Sequence, residues 1–132
     1  MENVKKVYDL INEAGVYYLA TVEGDQPRVR VYGACLYFDG KFYIMCMAGT
    51  GAPKQLKANP KAELTTMKGK IVRMSCTFVE DERPEVKQAM VDKMPHLKGA
   101  LGEHGEGALM FYAKDATATV STMTEVLETI KF

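Results

Sequence analysis

Residues 16–47 read VYYLATVEGDQPRVRVYGACLYFDGKFYIMCM, and the punctuation of this stretch decides the fold. Val16 to Val22 is rich in β-branched and aromatic residues, and Glu23-Gly24-Asp25-Gln26-Pro27 after it is turn-forming. Arg28 to Phe38 reads as a second strand. Asp39-Gly40 is a strong hairpin signal, because the tight turns that suit twisted strands need positive φ at their centre. Lys41 to Met47 (KFYIMCM) returns as a third strand. The expectation is an antiparallel meander of three strands.

Upstream, Val4, Val7, Tyr8 and Ile11 follow the i, i+3, i+4, i+7 rule, so residues 2–14 read as a helix that Gly15 ends. Downstream, the small-residue loop Ala48-Gly49-Thr50-Gly51-Ala52 leads to Pro53, which opens a short helix, KQLKA, stopped by Asn59-Pro60. Residues 61–67 and 70–79 read as strands around Gly69. Pro84 suits the first position of a helix running to about Met94. Pro95 to Gly107 is glycine-rich and irregular, Ala108–Tyr112 and Thr117–Thr122 read as two further strands, and 128–132 is the tail. Many short antiparallel strands in a small chain favour a barrel, since closure removes exposed edges.

The chain has 132 residues, 47% of them hydrophobic, and reads as a single domain over 1–132. So short a chain buries a modest share of its surface, which favours association. Lys plus Arg equal Asp plus Glu at 17 each, a poor balance for coating nucleic acid or an anionic membrane. No apolar run approaches the roughly 20 residues that span a bilayer. Cys35, Cys46 and Cys76 are spread out with no CxxC pair, which together with an amphipathic, uncleavable N-terminus predicts a cytoplasmic protein.

Two features suit an anionic ligand. Arg28 and Arg30 alternate on one strand and leave on one face, where two guanidinium groups repel unless an anion lies between them. The plainer reading is a solvated face paired with acidic neighbours. The loop Gly49-Thr50-Gly51-Ala52-Pro53-Lys54 lets backbone N–H groups approach a ligand just where a helix begins, although it lacks P-loop spacing. His96 and His104 sit in the glycine-rich segment with no ligand-spaced partner, so no metal site is expected. No protein acid, base or nucleophile stands out, and any redox chemistry falls to a cofactor.

At this point YYLATVEGDQPRVRVYG, FDGKFYIMCM, KQLKANPKAEL and KGKIVRMSC resemble the small FMN-binding split-barrel proteins related to pyridoxamine 5′-phosphate oxidase, and ATATVSTMTEVLETIKF fits their short bacterial, general-stress-protein-like members. The resemblance implies a mainly β fold: a six-stranded antiparallel split barrel with flanking helices, paired as a homodimer with two FMN sites in the interface. It places the FMN phosphate on Arg28 and Arg30 of the second strand and on Thr50, Lys54 and Gln55 of the loop and short helix, with Val29 and Gly51 also among the cofactor-binding residues. Met45 and Cys46 are expected to run along the flavin ring, offering backbone groups. Family members often carry a tryptophan where Ile71 stands, and the Arg- and His-bearing C-terminus of the true oxidases has no counterpart, so pyridoxal 5′-phosphate synthesis is not expected. The resemblance implies an oxidoreductase passing electrons from a small reduced donor to a small oxidised acceptor. A non-catalytic flavin-binding stress protein and a haem or deazaflavin binder on the same barrel are the alternatives.

Overall fold

A computed structural model describes residues 2–132. Helix α1 (Glu2–Ala14) buries Val4, Val7 and Ile11, the stripe its periodicity marks, and ends at Gly15, whose N–H reaches the Ile11 and Asn12 carbonyls. Strands β1 (Tyr17–Glu23) and β2 (Gln26–Tyr32) form a hairpin about Gly24-Asp25. Then come β3 (Cys35–Phe38), β4 (Lys41–Met47), α2 (Gly51–Ala58), β5 (Lys61–Lys68), β6 (Lys70–Glu80) and α3 (Pro84–Lys93). A 3-10 turn at Pro95–Leu97 and α4 (Lys98–Leu101) occupy the glycine-rich stretch, before β7 (Ala108–Ser121) and β8 (Val126–Lys131). The β3–β4 turn has the positive φ that hairpin geometry demands, 53° at Asp39 and 73° at Gly40.

All strands join one antiparallel sheet in the order β2-β1-β5-β6-β7-β4-β3, with β8 added to β7. The fold is mainly β and split-barrel-like, as expected, but with eight strands rather than six. The run 28–38 is not one strand. It breaks at Gly33-Ala34, and Tyr17 Oη donates to the Ala34 carbonyl at 2.6 Å across the break. Before the break the chain stays on β1. After it, the chain crosses to the far edge of the sheet, so β4 lies between β3 and β7 rather than beside β2, and the three-strand meander is not formed.

The last two expected strands are one. Strand β7 passes straight through residues 113–116, with Asp115 at φ 52° in a β-bulge where Asp115 and Ala116 together oppose Cys76. Ala116 and Phe132 exchange backbone hydrogen bonds of 2.8 and 3.1 Å there, which keeps the strand paired. On one edge, β7 therefore serves two neighbours in succession, β4 along 108–112 and β8 along 117–121.

The sheet curls around a core formed by α1, α2 and the inward residues of seven strands, including Leu19, Phe42, Ile44, Leu64, Met74 and Phe111. A second core lies outside β3, β4 and β7, where Leu36, Tyr43, Met45 and Met110 meet Val86 and Met90 of α3 and Leu101 of α4. Strand β4 is thus buried on both faces, which explains its uninterrupted apolar run.

The turn from β6 into α3 is fastened to the β3–β4 hairpin by polar contacts. Arg83 donates twice to Asp81, at 3.0 Å from Nε and 2.9 Å from Nη2, and Tyr43 Oη donates to Asp81 Oδ2 at 2.6 Å. The Arg83 guanidinium, then the Tyr43 hydroxyl, hold the Asp81 carboxyl down to about 2. Because the folded value lies below the unfolded one of about 4, this contribution is present above pH 4 and fades as pH falls toward 2. Asp81→Asn is expected to lower unfolding free energy by about 1–3 kcal/mol at neutral pH, the scale of a charged hydrogen bond. Urea titrations at descending pH should show the gap to wild type closing. A gap that persists unchanged in acid would refute the assignment.

Candidate functional site

The break at Gly33-Ala34 leaves two strand edges without partners. Strand β2 pairs only with β1, and β3 stops at Cys35 opposite Ile44, so Met45–Met47 have a neighbour on the β7 side alone. The start of α2 stands beside this gap. A cavity of about 360 Å³ results, walled by Arg30, Val31 and Tyr32 of β2, Met47 at the end of β4, and Thr50, Gly51 and Ala52.

Arg30 is the charge in that wall. Its Nη1 donates to the Leu19 carbonyl at 3.1 Å and to Thr21 Oγ1 at 2.8 Å, and its Nη2 donates to Gln55 Oε1 at 2.8 Å. Every acceptor is neutral, and among the described residues no carboxylate pairs with Arg30. A half-buried guanidinium without a counter-ion favours an anion at its free face. Helix α2 adds to the pull. Thr50 is its N-cap, yet the Thr50 hydroxyl donates back to the Met47 carbonyl at 2.6 Å and caps no amide, and no acidic residue lies in the first turn. A Cβ on Gly51 would sit 2.8 Å from Gln55 Nε2, so a side chain there would have to displace the Gln55 amide.

Of the residues singled out in sequence, the cavity brings together Arg30, Thr50 and Gly51, with Gln55 directly behind Arg30. Arg28 shares the face of Arg30 but turns to Glu23, with Nη2 at 2.8 Å from its carboxylate, so it takes the solvated reading. Val29 is on the opposite face and 71% exposed. Lys54 is exposed on the first turn of α2. Met45 faces the outer core beneath α3 and Cys46 the inner one, so only their backbone can border the gap. A wider depression of about 500 Å³ lies over Asp39, Lys41, Glu80, Asp81, Glu82 and Arg83, but both of its cations are taken up, Arg83 by Asp81 and Lys41 by Asp39, so it offers an anion no free positive charge. The two histidines are elsewhere: His104 lines a groove with Lys87 and Leu101, and His96 belongs to the 3-10 turn.

A family model described as pyridoxamine 5′-phosphate oxidase matches residues 4–128. The chain belongs to that family. It is similar to a NimC/NimA family protein from Clostridium acetobutylicum whose crystal structure superposes with a TM-score of 0.90, at 34% identity over 99% of this chain and 93% of that one. General stress protein 26 from Bacillus anthracis shares the fold at a TM-score of 0.75 and 15% identity, with each chain fully covered. A haem-binding protein from Mycobacterium smegmatis does so at 0.73 and 12%, over 98% of this chain and 57% of that one. A sequence search of curated proteins found no match.

The pyridoxamine 5′-phosphate oxidase family resemblance read from the motifs therefore holds. The motifs did not reveal Thr21, Tyr32 and Met47 as neighbours of the site. Thr21 was within reach of register reasoning, because a hairpin centred on Gly24-Asp25 sets Leu19 opposite Arg30 and Thr21 opposite Arg28. Met47 carried no signal, because its place depends on where β3 ends.

Burial pushes the Cys35 and Cys46 thiols up to about 11 and the Cys76 thiol to about 12. All three are free and buried, so they act as small hydrophobes rather than nucleophiles. A thiol titration with an aromatic disulfide at mildly alkaline pH should find no fast-reacting cysteine in the native protein and three after denaturation. Rapid labelling of Cys46 would show that the gap opens to its side chain.

Proposed function

We propose that this chain is an FMN-binding oxidoreductase that works as a homodimer in the cytoplasm, with one flavin at each interface site. The observation that carries the reading is the unpaired Arg30 guanidinium at the mouth of an uncapped helix, in a chain of this family. A phosphate monoester fits that donor set. Arg30 offers its free N–H groups, α2 offers first-turn amides, and Lys54 adds positive potential from the same turn. Beyond the phosphate, the unpartnered edge of β4 at Met45 and Cys46 supplies backbone groups to a planar ring, while Val31 and Tyr32 supply apolar surface.

When bound, FMN would supply acceptance of a hydride and its passage as electrons to a small oxidised acceptor. The chain's own residues anchor the phosphate, hydrogen-bond the ring edge and cover one ring face. Asp81 is engaged by Arg83 and Tyr43 and the thiols are buried, which leaves those groups outside the chemistry. Both histidines lie outside this cavity, so no imidazole would reach a haem seated there. Three free cysteines suit a reducing compartment.

One sheet face suits a second copy of the chain. Tyr18 of β1, Val29 and Val31 of β2 and Met67 of β5 are exposed there, with Tyr18 opposite Val31 and Ala20 opposite Val29. Val31 also lines the cavity, so a second copy seated on this face would reach the rim of the site.

Gel filtration after mixing with FMN should give a yellow dimer carrying one flavin per chain. NADH or NADPH should then bleach the flavin absorption, and a suitable acceptor should restore it. Flavin that binds but resists both donors would favour a non-catalytic flavin protein, and a colourless protein that rejects FMN would overturn the reading. Arg30→Ala should weaken FMN binding by about 1–3 kcal/mol, with a smaller loss for the exposed Lys54→Ala. Val31→Asp should shift the protein to monomer size, and an unshifted dimer would place the interface elsewhere.

A further inference from the structure

We infer that Thr21 and Gln55 are positioning residues that hold Arg30 in the phosphate-binding pose while leaving its charge unspent. This rests on the FMN reading above and goes further by assigning Gln55 a role through Arg30 rather than on the cofactor, and by adding Thr21.

Both residues are polar and almost fully enclosed, Thr21 at 2% and Gln55 at 8% exposure. Such groups are costly to bury unless their hydrogen bonds are satisfied. The Thr21 hydroxyl and the Gln55 amide oxygen spend those bonds on one another and on Arg30. Thr21 Oγ1 donates to Gln55 Oε1 at 2.6 Å and accepts from Arg30 Nη1 at 2.8 Å, and Gln55 Oε1 also accepts from Arg30 Nη2 at 2.8 Å. The result is a closed ring of three hydrogen bonds, with one acceptor on β1, one on α2 and the donor on β2. The Leu19 carbonyl, at 3.1 Å from Nη1, fixes the same edge from the β1 backbone.

The acceptors around Arg30 are all uncharged. A carboxylate would hold Arg30 as firmly but neutralise it, as Glu23 does for Arg28 two residues away. A hydroxyl, an amide oxygen and a peptide carbonyl fix the guanidinium plane and leave its full charge for the ligand. Fixing it beforehand removes the ordering cost that a free arginine meets on binding. If the ring served only to satisfy buried polar groups, its loss would affect everything the fold binds. A positioning role is felt by the phosphate alone.

The test compares FMN with riboflavin, which lacks the phosphate, by quenching of flavin fluorescence, with circular dichroism and thermal melts to confirm folding. Thr21→Val, close in shape but without the hydroxyl, should weaken FMN about three- to tenfold and leave riboflavin unchanged. Thr21→Ser should restore wild-type FMN binding. In an Arg30→Ala background, Thr21→Val should cost nothing further. Gln55→Glu keeps the acceptor and the volume but neutralises Arg30, so it should weaken FMN more than Thr21→Val does. Equal weakening of FMN and riboflavin, or no effect of either variant on FMN, would overturn the assignment while leaving FMN binding itself intact. Should Thr21→Val fail to fold, Gln55→Glu decides by the same comparison. Wild-type protein that rejects FMN would overturn both readings together.

Discussion

Strand β4 is buried on both faces, and the rest of the structure depends on that constraint. A strand with apolar residues on alternate sides needs a core above and a core below. Here Phe42, Ile44 and Cys46 fill the inside of the curled sheet, while Tyr43 and Met45 fill the layer beneath α3. Such a strand cannot lie beside β2, whose outward residues Val29 and Val31 carry no helix over them. The chain resolves the conflict by breaking at Gly33-Ala34 and carrying β3 and β4 to the far edge of the sheet. The gap that accommodates the candidate site follows from that break.

The same break determines what the site can be made of. Side chains at the end of β4 are committed to the two cores, so only Met47 and the backbone of Met45–Met47 face the gap. Charge must come from β2 and from the start of α2. Helix α2 is tied in by Ala52 and Leu56, which pack into the inner core and hold its first turn at the mouth of the cavity. Packing thus positions the helix terminus, and the diverted Thr50 hydroxyl leaves that terminus without a side-chain cap.

Local elements were legible in the sequence because their signals are local. The stripe of α1, the Asp39-Gly40 turn, Gly69 and Pro84 each depend on a few neighbouring residues. The two strand errors have a shared cause. Residues 28–38 look continuous and residues 113–116 look like a gap between two strands, yet both outcomes were set by partners distant in sequence, Tyr17 across the break at Gly33-Ala34 and Phe132 alongside the continuous β7. The site was half legible. Arg30, Thr50 and Gly51 stood out by residue type, but their convergence, and the separation of Arg30 from Arg28, required the register and the position of α2.

Arg28 and Arg30 illustrate what residue type leaves undetermined. They share a strand and a face, and β2 is an edge strand, where charged side chains and Pro27 discourage pairing with another chain. For Arg28 that protective role is sufficient: it is exposed, paired with Glu23 and close to the turn. Two residues further along, the Arg30 side chain reaches Thr21 and α2, water gives way to protein, and the acceptors become neutral. An edge-protecting charge there would be stabilised better by a carboxylate than by a threonine and a glutamine. The neutral set makes sense when the counter-charge arrives with a ligand, and in this way one strand combines protection of its edge with a seat for an anion.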